Sequence, residues 1–241
     1  MTTAPAGRSG LSGAGDAPRT VVPWPGPYGG DVGFSGWPTE AVEFFQGLRA
    51  DNTKAYWTAN QVVYEASVRE PMAGLLGELS GEFGPGRIAR PYRDVRFRAD
   101  KSPYKTEIYA ILDRGGYVKF SADGLTAALG YFRMTAAQLE RYRRAVDDET
   151  GGAELAGVVR RLRAEGLEVG GGQALKGAPR GYPADHPRIE LLRWKGLICW
   201  RDWPVAPWLH TAKAGDHVAG FLRAAAPLQR WLDLRVGPDP A

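Results

Sequence analysis

The sequence predicts an α+β fold: an antiparallel β-meander of four to six strands packed against N-terminal and C-terminal helices. Two patterns carry that prediction. Apolar residues recur at helical spacing over 38–83 and again over 135–234. The stretch between them switches to short β-like runs separated by Gly-containing turns. Helices, then strands, then helices imply segregated layers rather than alternating βαβ units. Composition agrees, because 44% hydrophobic and 24% charged residues in 241 describe a globular chain. That is too apolar for global disorder. No stretch approaches the roughly 20 apolar residues of a membrane span.

The elements follow in order. Residues 1–33 are rich in Gly, Pro, Ala, Thr and Ser and read as a disordered tail without the apolar core of a signal peptide. A single domain is expected over 34–234, with a second disordered tail at 235–241. The first helix runs from Pro38, suited to a first helical position, to about Arg49, with Ala41, Phe44, Phe45 and Leu48 on one stripe. A second starts near Asn52 or Thr53 and carries Tyr56, Trp57, Val63, Tyr64 and Val68. Pro71 should end or kink it. Met72, Leu75, Leu76, Leu79 and Phe83 continue the helical spacing to Gly84-Pro85-Gly86.

Strands are expected around Val95–Phe97 and over Ile108–Leu112, Tyr117–Phe120 and Leu125–Phe132. Asp123-Gly124 marks a hairpin by its demand for positive φ. Thr135 and Gln138 form a capping box, with Leu139, Tyr142 and Val146 inward. Leu155, Val158, Val159 and Leu162 make another helix, closed by Gly166. Residues 170–187 read as a long loop, and a last strand spans Gly196–Arg201. A final helix covers about Ala212–Leu234, with a kink at Pro227.

Charge is concentrated. Residues 86–105 hold seven cations (Arg87, Arg90, Arg93, Arg96, Arg98, Lys101 and Lys105) against Asp94 and Asp100, a net +5. The other 221 residues carry 24 cations and 25 carboxylates, a net −1. The overall +4 is therefore one local anion-attracting surface or one ion network. On a strand over 92–98, Val95 and Phe97 share a face with Arg93, while Asp94, Arg96 and Arg98 share the other. Pro103 then makes a turn that presents Lys101, Ser102, Tyr104 and Lys105 above the sheet. Guanidinium, ammonium, phenol and hydroxyl groups together suit an oxyanion.

The residues Arg90, Arg93-Asp94, Arg96-Phe97, Asp100-Lys101 and Tyr104, at these spacings, resemble the hallmark of a conserved-hypothetical family with a domain of unknown function. That family occurs in bacterial proteins of about this length and within longer fungal ones. The Phe44-Phe45 helix, Asn52 with Lys54 and Trp57, the run from Lys176 to Tyr182, and Asp185-His186-Pro187 through Arg193 are similar too. The resemblance spans roughly 34–233. It implies that the basic segment is a shared feature, without assigning an activity to it.

Three readings stay open. In the first, Arg93, Arg96, Lys101 and Lys105 bind a phosphate- or carboxylate-bearing small molecule. Asp94 or Asp100 then serves as base or orienter, Tyr104 as proton donor, and Arg180 with Asp185-His186 as a lid. In the second, the same residues form an internal ion network joining the sheet to the N-terminal helices. In the third, which the near-neutral remainder of the chain disfavours, they contact nucleic acid, with nearby Trp residues stacking bases. No metal and no cofactor is expected: His210 and His217 are too far apart in sequence to share a ligand position, and Cys199 lies in an apolar run as an inert thiol. One cysteine precludes an internal disulfide, so a reducing, cytoplasmic setting is the expectation. Oligomeric state and enzymatic character are left open by the sequence.

Overall fold

The computed structural model describes residues 33–97 and 99–238, so the expected N-terminal tail lies outside the described residues except for Gly33. Helix α1 spans Thr39–Ala50 and buries Ala41, Val42, Phe44, Phe45 and Leu48. Pro38 stands just before it in extended backbone, one position earlier than the sequence suggests. Helix α2, Lys54–Val63, is capped by Thr53, whose hydroxyl accepts the Tyr56 N–H at 3.2 Å. Pro71 does not end the helical run. A wide π-helical turn, Tyr64–Arg69, joins α2 directly to α3, Glu70–Phe83. In it the Glu70 N–H reaches back five residues to the Glu65 carbonyl. The widened turn shifts the backbone that a proline ring would otherwise strike.

Six antiparallel strands follow: β1 Gly86–Ile88, β2 Glu107–Leu112, β3 Gly116–Ser121, β4 Gly124–Tyr131, β5 Glu168–Gly170 and β6 Leu197–Trp203. Their spatial order is β1-β2-β3-β4-β6-β5. The β2–β3 hairpin turns through Gly115 at φ +94°, a conformation that glycine adopts without steric cost. In the next hairpin Ser121 pairs with Gly124, so the loop residues are Ala122 and Asp123, one position earlier than an Asp-Gly turn. Helix α4 (Ala136–Asp147) carries the expected reciprocal cap between Thr135 and Gln138. Helices α5 (Glu149–Ala164), α6 (Ile189–Leu192) and α7 (Lys213–Arg235) complete the chain, and α7 runs on through Pro227.

Strand alternation divides the sheet into two faces. Ile108, Ala110, Leu112, Val118, Phe120, Leu125, Ala127 and Leu129 lie on the helix-packed face, all at most 5% exposed. Trp37 stacks flat on Phe120 with centroids 4.7 Å apart, and Phe45 packs beside it. The other face carries Tyr109, Tyr117, Lys119, Thr126, Trp200 and Asp202 (by register). Beyond α7 the chain stays held: Val236 is buried, and the Gly237 and Pro238 carbonyls accept from Gln138 and Arg141. The described chain is thus anchored past the point where a C-terminal tail was expected to begin.

Candidate functional site

Between β1 and β2, residues 89–106 form an arm, not the strand expected over 92–98. Its legs retain scattered antiparallel bonds: Ala89 N–H to Tyr109 O, Lys105 N–H to Pro91 O, and Arg93 N–H to Pro103 O, all 2.8–2.9 Å. Tyr92 and Tyr104 form one isolated bridge. Pro91 lies opposite Lys105 and Pro103 opposite Arg93, and neither proline has an N–H to return, so the ladder cannot become regular. The predicted alternation of faces is lost with it. Phe97 is 96% exposed and Arg93 is largely covered, the reverse of what a shared face requires.

Tyr104 anchors the arm rather than standing above the sheet. It is buried, stacks flat on Trp57 at 4.4 Å and touches Tyr92 at 5.4 Å. The Asn52 side chain clamps its backbone: Tyr104 N–H donates to Oδ1 and the Asn52 amide donates to Tyr104 O, both at 3.0 Å. Burial raises the pKa of the Tyr104 phenol, which suits packing better than proton donation.

Two of the arm's arginines bind its two carboxylates, and its two lysines bind backbone carbonyls. Arg96 grips Asp94 through two nitrogens at 2.6 and 3.0 Å, a bidentate fork. Asp100 accepts the Ser102 hydroxyl and N–H at 2.6 and 2.9 Å, and Arg93 at 2.6 Å. The Arg96 guanidinium and amide hold the Asp94 carboxyl well below the usual carboxylate range, and Ser102 with Arg93 does the same for Asp100. Carboxylates that acidic are poor proton acceptors near neutral pH. They act as braces. Lys101 donates to Val95 O at 3.0 Å and closes the tip, whereas Lys105 donates to Arg90 O at 2.5 Å and lies 5.0 Å over the Tyr109 ring. Arg180 is not brought to this cluster. It is exposed in the loop after β5, at the opposite edge of the sheet, where His186 and Arg188 bond Asp147 and the end of α4.

Tyr109 connects the arm to the polar sheet face. On that face Tyr109, Lys119, Thr126 and Asp202 are direct cross-strand neighbours on β2, β3, β4 and β6. Thr126 donates a short hydrogen bond to Asp202. Lys119 is only 8% exposed. Among the described residues it makes no side-chain hydrogen bond and has no carboxylate within 4 Å, although Glu107 and Asp202 share its face and the field of Asp123 reaches it. Asp123 itself is taken by Arg49 in a two-nitrogen grip at 2.7 and 3.0 Å. Its stem is packed, while its nitrogen is not among the buried unpartnered atoms, so the ammonium reaches the surface of the face. Sequence reasoning passed over Lys119, Tyr109, Tyr117, Thr126 and Asp202. The available signal was the alternation Tyr117-Val118-Lys119-Phe120-Ser121, which sets Lys119 opposite two core residues.

A second concavity, of about 230 Å³, lies on the helical face between β6 and α7. Arg201, Asp216, His217 and Glu165 line it, with Trp203 as a wall, and Trp208 packs His217 at 4.1 Å. Its charged side chains are all exposed. His210 precedes α7 in a short turn and bonds Trp37 O at 2.7 Å.

The family model of a conserved hypothetical protein family, DUF2461, matches residues 40–231. The chain belongs to that family. Both the arm and the Lys119 face lie within the matched span. Among solved structures, a conserved hypothetical protein from Pyrococcus furiosus, Pfu-178653-001, is similar at 13% identity and a TM-score of 0.33. The match covers 72% of this chain and 96% of that one. No curated protein matches.

Proposed function

We propose that this DUF2461 protein binds a small phosphate- or carboxylate-bearing molecule at the polar face of its sheet. Lys119 is the anion's principal ligand, and the basic arm supplies an attracting field. One observation carries this reading: Lys119 is buried along its stem, and its ammonium reaches the face with no hydrogen bond or salt bridge to the described residues. An ammonium held in place by a packed stem is available to an anionic ligand. Lys105, at the root of the arm above Tyr109, stands at the rim of the same face.

Isothermal titration of the full chain with inorganic phosphate tests the reading. The expected result is saturable binding that weakens as ionic strength rises and is lost in Lys119→Met, which keeps the apolar stem. Equal binding by the variant would overturn it.

The arm's own ion pairs favour the architectural reading for Arg93 and Arg96, because each already has a carboxylate. Both pairs join residues of the arm to each other, with Arg93 largely covered and its partner Asp100 exposed, so they brace the arm locally. Arg93→Ala should therefore loosen the tip and leave phosphate affinity within about twofold of the parent.

A further inference from the structure

The concavity between β6 and α7 lies apart from the arm and from Lys119. β5 pairs with β6 no farther than Trp200. The next helix-side residues of β6, Arg201 and Trp203, therefore stand beside α7 with no strand on that edge among the described residues. Glu165 and Leu167, from the turn that joins α5 to β5, close one side. Asp216, His217 and Gly220 line the other from adjacent turns of α7. The floor is apolar, with Leu167 and Phe221 only 6% and 4% exposed. The rings around it hold one another. Trp203 meets Phe221 edge-on at 6.3 Å and His217 at 5.9 Å, and Arg201 lies over the Trp203 ring at 5.7 Å. The wall and the guanidinium resting on it are thus placed before any ligand binds.

Arg201, Glu165 and Asp216 line this small space and do not bind one another. Among the described residues none of the three makes a side-chain hydrogen bond or lies within 4 Å of an opposite charge. Arg223, whose charge reaches Asp216, is itself gripped by Glu82 at 2.6 to 3.0 Å. Nor do Glu165, Asp216 and His217 make a metal cage, because no three such groups converge among the described residues. A guanidinium and two carboxylates that face one concavity and stay apart leave a gap with both signs on its walls. A ligand carrying both signs fills it, whereas a plain anion or a plain cation satisfies one wall and is repelled by the other. The volume of about 230 Å³ is below the roughly 300–1,000 Å³ of sites for drug-sized ligands, so the ligand is small. We infer that the concavity is a site for a free α-amino acid with an apolar side chain. Its carboxylate meets Arg201, its ammonium meets Asp216 and Glu165, and its side chain lies on Phe221 and Leu167 against Trp203. The site is independent of the anion-binding face, since Arg201 and Trp203 alternate with Asp202 and lie on the other side of the sheet from Lys119.

Isothermal titration of the full chain with L-leucine, glycine, L-leucinamide and N-acetyl-L-leucine tests this. Leucine should bind saturably. Glycine lacks the apolar part, leucinamide the carboxylate and N-acetylleucine the ammonium, and each should bind at least about tenfold more weakly. Arg201→Gln should weaken leucine by a similar factor and leave the weaker leucinamide binding where it was, because leucinamide has no carboxylate to lose. Gly220→Leu should fold, since a Cβ at Gly220 meets nothing within 4 Å and leucine favours a helix more than glycine does. Its side chain should fill the opening and abolish leucine binding. Failure of leucine to bind would overturn the amino-acid site. So would equal affinity for leucine and its two blocked derivatives, an equal loss of leucine and leucinamide in Arg201→Gln, or undiminished leucine binding by Gly220→Leu.

Discussion

Asp94 and Asp100 show how single residues decide the chemistry of the arm. Both carboxyls are held well below the ordinary range by the guanidinium, hydroxyl and amide groups around them. A carboxylate acidified by folding binds fewer protons in the folded arm than in the unfolded one. Its contribution is complete above about pH 4, near the unfolded pKa, and is lost as pH falls below that. The amide resonances of Arg96 and Ser102 should therefore hold their positions from pH 7 to about 4 and shift toward random-coil values below. A shift near pH 6 would indicate that other groups order the tip. Cys199 makes the opposite case, because burial pushes its thiol up to about 12. It should resist iodoacetamide at pH 8 in the folded protein and react only on unfolding. That inertness was legible from its apolar neighbours. The burial of Lys119 was not, because a lone lysine between Val118 and Phe120 reads as an ordinary outward residue until three other strands are placed beside it.

At the scale of elements, the arm is the least sequence-like part of the fold. Alternating charge over 92–98 imitates a strand. Two prolines on opposite legs and the pull of Asp94 and Asp100 on nearby arginines turn it into a braced loop instead. What attaches it to the body is the Asn52–Tyr104 clamp and the Trp57 stack. Asn52→Ala removes two hydrogen bonds at a partly buried position and should cost about 1–3 kcal/mol, read by denaturant unfolding. It should also speed amide exchange in 92–104 more than in the helices. Uniform acceleration would mean that Asn52 supports the whole domain instead. The long helices were readable because their stripes repeat every three or four residues. β1 and β5 were not, since three-residue edge strands carry no period of their own. Continuity through Pro71 was equally hidden: it depends on a π turn that no local propensity announces.

For the whole molecule, the concentration of +5 in 86–105 acquires a different meaning. Arg93 and Arg96 are occupied by the arm's own carboxylates and Arg87 by Asp113, while Lys105 lies over Tyr109 at the edge of the Lys119 face. One side of the sheet is spent on the core, with Trp37, Phe45 and α7 against it. The other keeps a polar row and an aromatic row side by side. On this account the buried stem of Lys119 holds an ammonium at the sheet face for a ligand. Thermal melting of the parent and Lys119→Met, each with and without inorganic phosphate, tests that most directly. Without phosphate the two should melt within about 2 °C of each other, because methionine keeps the packed stem. Phosphate should raise the melting temperature of the parent alone. A variant that gains the same phosphate shift as the parent would contradict the account.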